Sequence, residues 1–310
     1  MKILVFTKLD ATQKSRLQTV ITTENDFLFK DELSEDQLLK ALQEVEIILG
    51  NIPIKYIKAN FSGLKFWQLD SAGFDQYQHT NFNIIVANMG TFYAQRCAES
   101  IVTGLFSFYR GIHTLTRLQT QKKWIGAKIR QDLQAISGKK VIILGAGAIA
   151  LAAQKMLLGF GCSVKLTARK NPIADIHSIE DLLNMLPETD AVVNTLPGSA
   201  ANYVNQTFID TMKTGSVYAN VGRGNTTDEN ALIAALESNK LAGAVLDVTT
   251  TEPLPANNKL WEMEQVILTQ HSAGGDQYEI EGKVLHFIKN VNRFQQGEQP
   301  EDLIDLKRGY

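Results

Sequence analysis

The sequence predicts an α/β protein of two domains, each a parallel sheet with helices on both faces. Three observations carry that prediction. Short apolar runs alternate with apolar residues at helical spacing along most of the chain, the signature of βαβ units. The strand-like runs fall into two series, one before Gly90 and a clearer one of six after Gly138. The 310 residues, 44% of them hydrophobic, suffice for two cores at roughly 100–200 residues per domain.

In the first series Lys2–Phe6, Glu46–Leu49, Phe66–Leu69 and Ile84–Val86 read as strands, with helices over Thr12–Val20, Asp36–Gln43 and Pro53–Asn60. Pro53 suits the first turn of a helix, where its missing N–H removes no bond. A long amphipathic helix is expected from about Gln95 to Tyr109, followed by a polar, basic stretch, Arg117–Lys128. The second series is Lys140–Leu144, Ser163–Thr167, Ala191–Thr195, Val217–Val221, Gly243–Val248 and Val266–Thr269. Six strands is the count of the doubly wound dinucleotide fold. A last helix, Tyr278–Gln296, is expected to cross back to the first domain, leaving Pro300–Tyr310 as a tail. The expected domains are therefore 1–94 plus 282–310 and 95–281, both Rossmann-like and joined near Gly90–Gln95. The crevice between two such domains is the default place for a ligand.

Composition narrows the function. Lys and Arg number 31 against 33 Asp and Glu, a net charge of −2, which gives no electrostatic footprint for nucleic acid or anionic lipid. Cys97 and Cys162 alone make no disulfide framework, and the five histidines lack ligand spacing, so no metal site is expected. The apolar run at Met1–Phe6 is too short for a signal peptide, and no window reaches the ~18 apolar residues of a membrane span. A soluble, cytoplasmic protein is expected, with neither nucleic acid nor membrane as partner.

Gly145-Ala146-Gly147-Ala148-Ile149-Ala150 follows the strand Val141–Leu144 and opens a helix rich in Ala and Leu. This is the dinucleotide fingerprint with Ala150 at its third small position. Gly145 permits the tight turn, and Gly147 lets backbone N–H groups at the start of the helix, with Ala148 and Ile149, approach a pyrophosphate. About 20 residues on, an acid would hold the ribose 2′-OH of NAD. The strand instead ends in Ala168-Arg169-Lys170, with no acid until Asp175. Either Arg169 and Lys170 only solvate a loop, or they contact a 2′-phosphate. The second reading favours NADP(H) and leaves NAD(H) as the alternative.

Three segments at consecutive strand ends carry the candidate chemistry: Asn220-Val221-Gly222-Arg223-Gly224, Asp247-Val248-Thr249-Thr250-Thr251-Glu252-Pro253, and Thr269-Gln270-His271-Ser272-Ala273-Gly274. An Arg, a Glu and a His at neighbouring carboxyl ends can converge on one nicotinamide. With Leu241–Val248, Glu252-Pro253-Leu254-Pro255 and the weaker Ser71-Ala72-Gly73-Phe74-Asp75, Ala98-Glu99 and Leu196-Pro197, these segments resemble the D-isomer-specific 2-hydroxyacid dehydrogenases over nearly the whole chain.

The resemblance implies a flavodoxin-like substrate domain beside the cofactor domain, and hydride transfer between nicotinamide and C2 of a small 2-hydroxy acid. It implies that Arg223 holds the keto acid's carboxylate and that His271 is the acid/base. Glu252 would orient the imidazole and favour its protonated form. Backbone N–H groups at Ala72 and Gly73 would complete the carboxylate site. Leu196, Pro197 and Val221 would line the cofactor, and Asp247 would receive the carboxamide unless it is only a polar cap at a strand end. A homodimer through the cofactor domain is also implied, with Trp124 a candidate interface residue.

Departures from the family pattern are Gln270, where Pro commonly precedes the histidine, the absence of threonines after Leu196-Pro197, and Ala150 in place of glycine. Within enzymology the runner-up is 3-phosphoglycerate dehydrogenase. Its phosphate calls for cations that Leu49–Ile52 and Ser71–Tyr77 lack, and no appended regulatory domain is expected beyond His271. Formate oxidation typically pairs the histidine with Gln rather than Glu. A dinucleotide-sensing, corepressor-like binding protein could dispense with Arg223, Glu252 and His271, all of which are present. The expected substrate is an unphosphorylated 2-keto acid such as glyoxylate or hydroxypyruvate.

Overall fold

Chain order runs β1 (Lys2–Val5), α1 (Ala11–Val20), β2 (Asp26–Phe29), α2 (Glu35–Glu44), β3 (Ile47–Leu49), β4 (Phe66–Gln68), β5 (Ile85–Ala87), α3 (Gly90–Tyr109) and α4 (Ile112–Thr120). It continues through β6 (Lys140–Leu144), α5 (Ala148–Gly159), β7 (Ser163–Thr167), α6 (Ile179–Met185), β8 (Ala191–Asn194), α7 (Gln206–Thr211), β9 (Ser216–Asn220), α8 (Glu229–Glu237), β10 (Leu241–Leu246), β11 (Val266–Leu268) and α9 (Glu279–Gln295). The computed structural model describes residues 1–21, 25–57, 61–78, 80 and 82–307. They divide into two compact units, Met1–Tyr93 with Asp276–Tyr310, and Ala94–Gly275.

In the first unit the sheet order is β2-β1-β3-β4-β5, all parallel, which is the flavodoxin-like order. Alternation along β1 sends Ile3 and Val5 to one core, with Leu17 of α1 and Val284, Phe287 and Val291 of α9. Leu4 faces the other core, with Leu38 and Leu42 of α2, Trp67 and Tyr77. Both faces are therefore covered, as a parallel sheet requires. Helices α1 and α2 start at capping boxes, Asp10 with Gln13 and Ser34 with Gln37, which satisfy the orphan N–H groups of the first turn.

The second unit has the sheet order β11-β10-β9-β8-β6-β7. Val141 and Ile143 of β6 join Ile101 and Leu105 of α3 and Ala153 and Leu157 of α5. Ile142 and Leu144 join Leu182 of α6, Phe208 of α7 and Leu232 and Leu236 of α8. Beyond β7, Ile176 makes a single parallel bridge to Thr167, so the strand that would extend this edge is reduced to one residue. The two doubly wound sheets match the predicted fold class.

Several expectations need correction. The sequence reading passed over β2, an edge strand of four residues in which only Phe29 is fully buried, so it carries little apolar signal. Pro53 begins a single 3-10 turn, Ile54–Tyr56, rather than a helix; the end of the expected Pro53–Asn60 helix, like His79, lies outside the described residues. The basic stretch Arg117–Lys128 starts inside α4 and ends in a 3-10 turn, Gly126–Gln131. Trp67 needs no correction, because it packs in the core as its place in a strand implies, fully buried with its indole N–H donating to the Gly50 carbonyl at 2.8 Å. No helix among the described residues is long and apolar enough to cross a membrane.

Candidate active site

The site of the second unit is built at the carboxyl ends of its strands. After β6, Gly145 has φ +111° and its N–H donates to Thr167 Oγ1 at 3.1 Å. A Cβ there would stand 2.7 Å from Thr195 Oγ1, so the turn needs glycine twice over. Gly147 differs. It is the N-cap of α5, no side chain caps the helix there, and nothing lies within 4 Å of where its Cβ would point. The N–H groups of Ala148 and Ile149 thus open onto free space at the positive end of the helix, a cradle that fits a pyrophosphate. Ala150 is fully buried in the core between α5 and the sheet, where a methyl group is accommodated.

At the end of β7, Arg169 and Lys170 are exposed. Asp175 does not substitute for the missing acid, because its carboxylate is engaged by the Leu166 N–H at 2.9 Å. Burial holds the Tyr203 hydroxyl above its ordinary range while the neighbouring Arg169 guanidinium pulls it down. Leu196 and Pro197 follow β8 and are half-buried, with the Leu196 N–H on Asn194 Oδ1 at 2.9 Å.

Arg223 follows β9 in a loop folded by Asn220. That side chain, 1% exposed, accepts the Gly222 N–H at 3.0 Å and donates to the Arg223 carbonyl at 3.2 Å. A Cβ on Gly222 would overlap the Leu196 backbone, and one on Gly224 would overlap the Thr249 carbonyl. The glycines on either side of Arg223 are there because three strand-end loops touch. Val221 is buried, and its N–H bonds to the Asn194 carbonyl at 3.0 Å. Arg223 is half-buried, with Nη1 on the Gly222 carbonyl at 2.8 Å.

Glu252 follows β10, and His271 follows the adjacent β11. The imidazole Nδ1 lies 2.7 Å from Glu252 Oε2, while Glu252 Oε1 accepts the Thr249 N–H at 3.0 Å. A carboxylate at Nδ1 fixes the tautomer with the proton on that nitrogen, leaving Nε2 to face a ligand. His271 has φ +51°, held by its N–H on the Asp247 carbonyl at 2.7 Å.

Asp247, 6% exposed, spends its carboxylate on Thr269 Oγ1 (2.5 Å) and on the N–H groups of Ser272 (3.0 Å) and Ala273 (3.2 Å). Its side chain thus braces the histidine loop, a task the sequence reading had not given it. Cys97 is not a nucleophile here, since burial pushes its thiol up to about 11.

In the first unit, Ala72 and Gly73 are half-buried in the loop after β4. Nearby, the Asp70 carboxylate accepts the Thr7 hydroxyl at 2.8 Å, and Asn51 bonds Ser71 Oγ at 3.0 Å.

Comparison with known proteins places the chain in a family. Residues 102–273 match the family model of the D-isomer specific 2-hydroxyacid dehydrogenase NAD binding domain. The chain belongs to that family. General NAD(P)H-dependent 2-hydroxyacid dehydrogenase activity goes with the membership. An uncharacterized protein in the proB 3′ region of Corynebacterium melassecola is 33% identical over 262 residues, 80% of this chain and 84% of that protein. A glyoxylate/hydroxypyruvate reductase A of Citrobacter koseri is 29% identical over 221 residues, 68% of each chain. Among solved structures, a D-isomer specific 2-hydroxyacid dehydrogenase from Xanthobacter autotrophicus Py2, in complex with NADPH and MES, superposes with a TM-score of 0.82 at 26% identity. The match covers 100% of this chain and 99% of that one.

Proposed function

We propose that this dehydrogenase reduces a small, unphosphorylated 2-keto acid of the glyoxylate or hydroxypyruvate type to the D-2-hydroxy acid, with NADPH preferred to NADH. The observation that carries the reading is the His271–Glu252 pair, at 2.7 Å, on the strand end beside the one that leads to Glu252. When bound, the nicotinamide supplies the hydride to C2. The chain's own residues do the rest. Arg223 grips the carboxylate through its planar fork. His271 enters the step as the imidazolium, gives its Nε2 proton to the carbonyl oxygen and is left neutral with the remaining proton on Nδ1 toward Glu252, so hydride and proton together complete the alcohol. Glu252 holds the ring in the orientation that presents Nε2. In the first unit, the Ala72 and Gly73 N–H groups are the donors that the family resemblance assigns to carboxylate recognition.

The absence of Arg and Lys from Leu49–Ile52 and Ser71–Tyr77, with the Asp70 carboxylate beside the second of these, disfavours a phosphorylated substrate. NADPH preference is supported by Arg169 and Lys170 where an acid would otherwise stand, and by the NADPH complex of the Xanthobacter relative. Arg169 is exposed, so salt screens a guanidinium–phosphate contact there and the preference is expected toward the low end of roughly 10–150-fold. For assembly we propose a two-fold dimer through the cofactor unit, with the exposed Ile112, Leu115 and Trp124 on the shared surface.

The test is kcat/KM for a panel of 2-keto acids with each reduced cofactor, for the wild type and for Arg169→Ala. Turnover of glyoxylate or hydroxypyruvate with NADPH ahead of NADH, and loss of that margin in the variant, are expected. Tight cofactor binding with no turnover of any keto acid would replace the enzyme with a sensor. A wild type that uses NADH at least as well would remove Arg169 from cofactor choice.

A further inference from the structure

Two successive carbonyls of the loop after β4 are tied to the junction between β5 and α3. The Ser71 carbonyl accepts the Met89 N–H at 3.0 Å. The Ala72 carbonyl accepts Asn88 Nδ2 at 2.6 Å. Both peptides are trans, and in a planar trans peptide the N–H points opposite to the C=O. Holding the Ser71 carbonyl therefore aims the Ala72 N–H away from that junction, and holding the Ala72 carbonyl aims the Gly73 N–H the same way. Neither N–H meets an acceptor among the described residues. Two adjacent, outward, unanswered N–H groups form a concavity for an anion.

Asn88 is built to hold this arrangement. It is 7% exposed, and its Oδ1 accepts the Gly90 N–H at 3.0 Å, which leaves Nδ2 as the group facing Ala72. Its backbone is clamped as well, with its N–H on the Asp302 carbonyl at 3.0 Å and its carbonyl on Gln68 Nε2 at 2.8 Å. Gln68 and Asn290, both fully buried, bond at 2.7 Å, and Asn290 takes both backbone groups of Glu301. A ladder of buried amides thus backs the one side chain that sets the Ala72–Gly73 peptide.

We infer that Asn88 is a positioning residue for the keto acid's carboxylate, acting through the Ala72–Gly73 peptide without touching the substrate. The inference rests on the proposed reading that this loop receives the carboxylate. Because the carboxylate is unchanged between ground and transition states, the effect belongs in KM rather than in kcat. Asn88→Asp keeps the acceptor for Gly90 but sets a carboxylate oxygen against the Ala72 carbonyl, which favours turning the peptide over. Asn88→Ala removes the tether altogether.

The experiment compares wild type, Asn88→Asp and Asn88→Ala in glyoxylate reduction with NADPH, using oxalate as a competitive carboxylate probe and NADPH binding as the control. In Asn88→Asp, KM and the oxalate inhibition constant rise by roughly 10–100-fold, kcat changes far less, and NADPH affinity stays within about twofold. A KM within twofold of wild type, or a parallel collapse of kcat, KM and NADPH affinity, overturns the inference. A wild type that reduces no keto acid would sink the functional reading instead, and oxalate binding would still test Asn88. Should the variants not fold, nuclear magnetic resonance of the wild type decides. Asn88 Nδ2 protons should be protected from exchange, and the Ala72 and Gly73 amide signals should move on adding oxalate. Protons at Nδ2 that exchange like those of a free amide would contradict the tether.

Discussion

His271 Nδ1 and Glu252 Oε2 stand 2.7 Å apart although 19 residues separate them in sequence. The pairing is made by two loops that are each held from below. Glu252 is anchored through its other oxygen to the Thr249 N–H, and Glu229 bonds the next N–H along, Thr250, at 3.0 Å. The His271 loop hangs on Asp247, which accepts the histidine's own N–H and those of Ser272 and Ala273. Half of the histidine side chain stays open to solvent, so the ring is oriented on one side and accessible on the other.

Glu252→Gln keeps the size of the partner and removes its charge. The charge-assisted bond to the ring weakens, and the amide can present its NH2 to Nδ1, which selects the wrong tautomer. Steady-state kinetics should show kcat for keto-acid reduction down roughly 10–100-fold, with NADPH affinity unmoved. A kcat equal to wild type would show that the pair does not orient the acid.

Two glycine substitutions separate cofactor binding from folding. Gly224→Ala drives a methyl group into the Thr249 carbonyl and should cost roughly 1–3 kcal/mol in denaturant unfolding. Gly147→Ala meets nothing within 4 Å, so unfolding without cofactor should change by no more than about 1 kcal/mol, while NADPH affinity, measured by titration, falls. An undiminished affinity in Gly147→Ala would mean that the pyrophosphate does not approach that position.

Much of this was legible in the sequence because parallel strands buried on both faces are written as short, unbroken apolar runs. Lys140–Leu144, buried along four of its five residues, is read to the residue. The strand Asp26–Phe29 was not, since an edge strand with one buried residue has no such run. Arg223, Glu252 and His271 were found by their positions after strands and by the family pattern. Asn88 was not, and Asn220, although it lay in the segment that carries Arg223, was given no role of its own. A buried asparagine that shapes a loop leaves no periodic signal, and its importance appears only when its hydrogen bonds are seen. The bracing of the His271 loop by Asp247 was invisible for the same reason.

His286 gives the first unit a pH-dependent term. Burial lowers its basicity below the ordinary value, against the opposing pull of Asp302 and Glu301. In the native state it stays neutral at a pH where the unfolded chain, near 6.5, already binds a proton. The unfolded state then holds more protons, so stability is full above about pH 6.5 and falls as pH drops toward the lowered native value, by at most about 1.4 kcal/mol per pH unit. Unfolding measured between about pH 7 and 5 should show this slope in wild type and a shallower one in His286→Gln. Equal slopes would remove His286 from the acid limb.

The central claim is that His271 is the proton donor in 2-keto acid reduction. Its most direct test is the rate of NADPH oxidation by saturating glyoxylate or hydroxypyruvate, read at the nicotinamide absorbance band for wild type and His271→Ala side by side. The account predicts turnover in the wild type and a loss of roughly 10²–10⁴-fold in the variant, with NADPH affinity retained. Near-normal turnover in His271→Ala would contradict it.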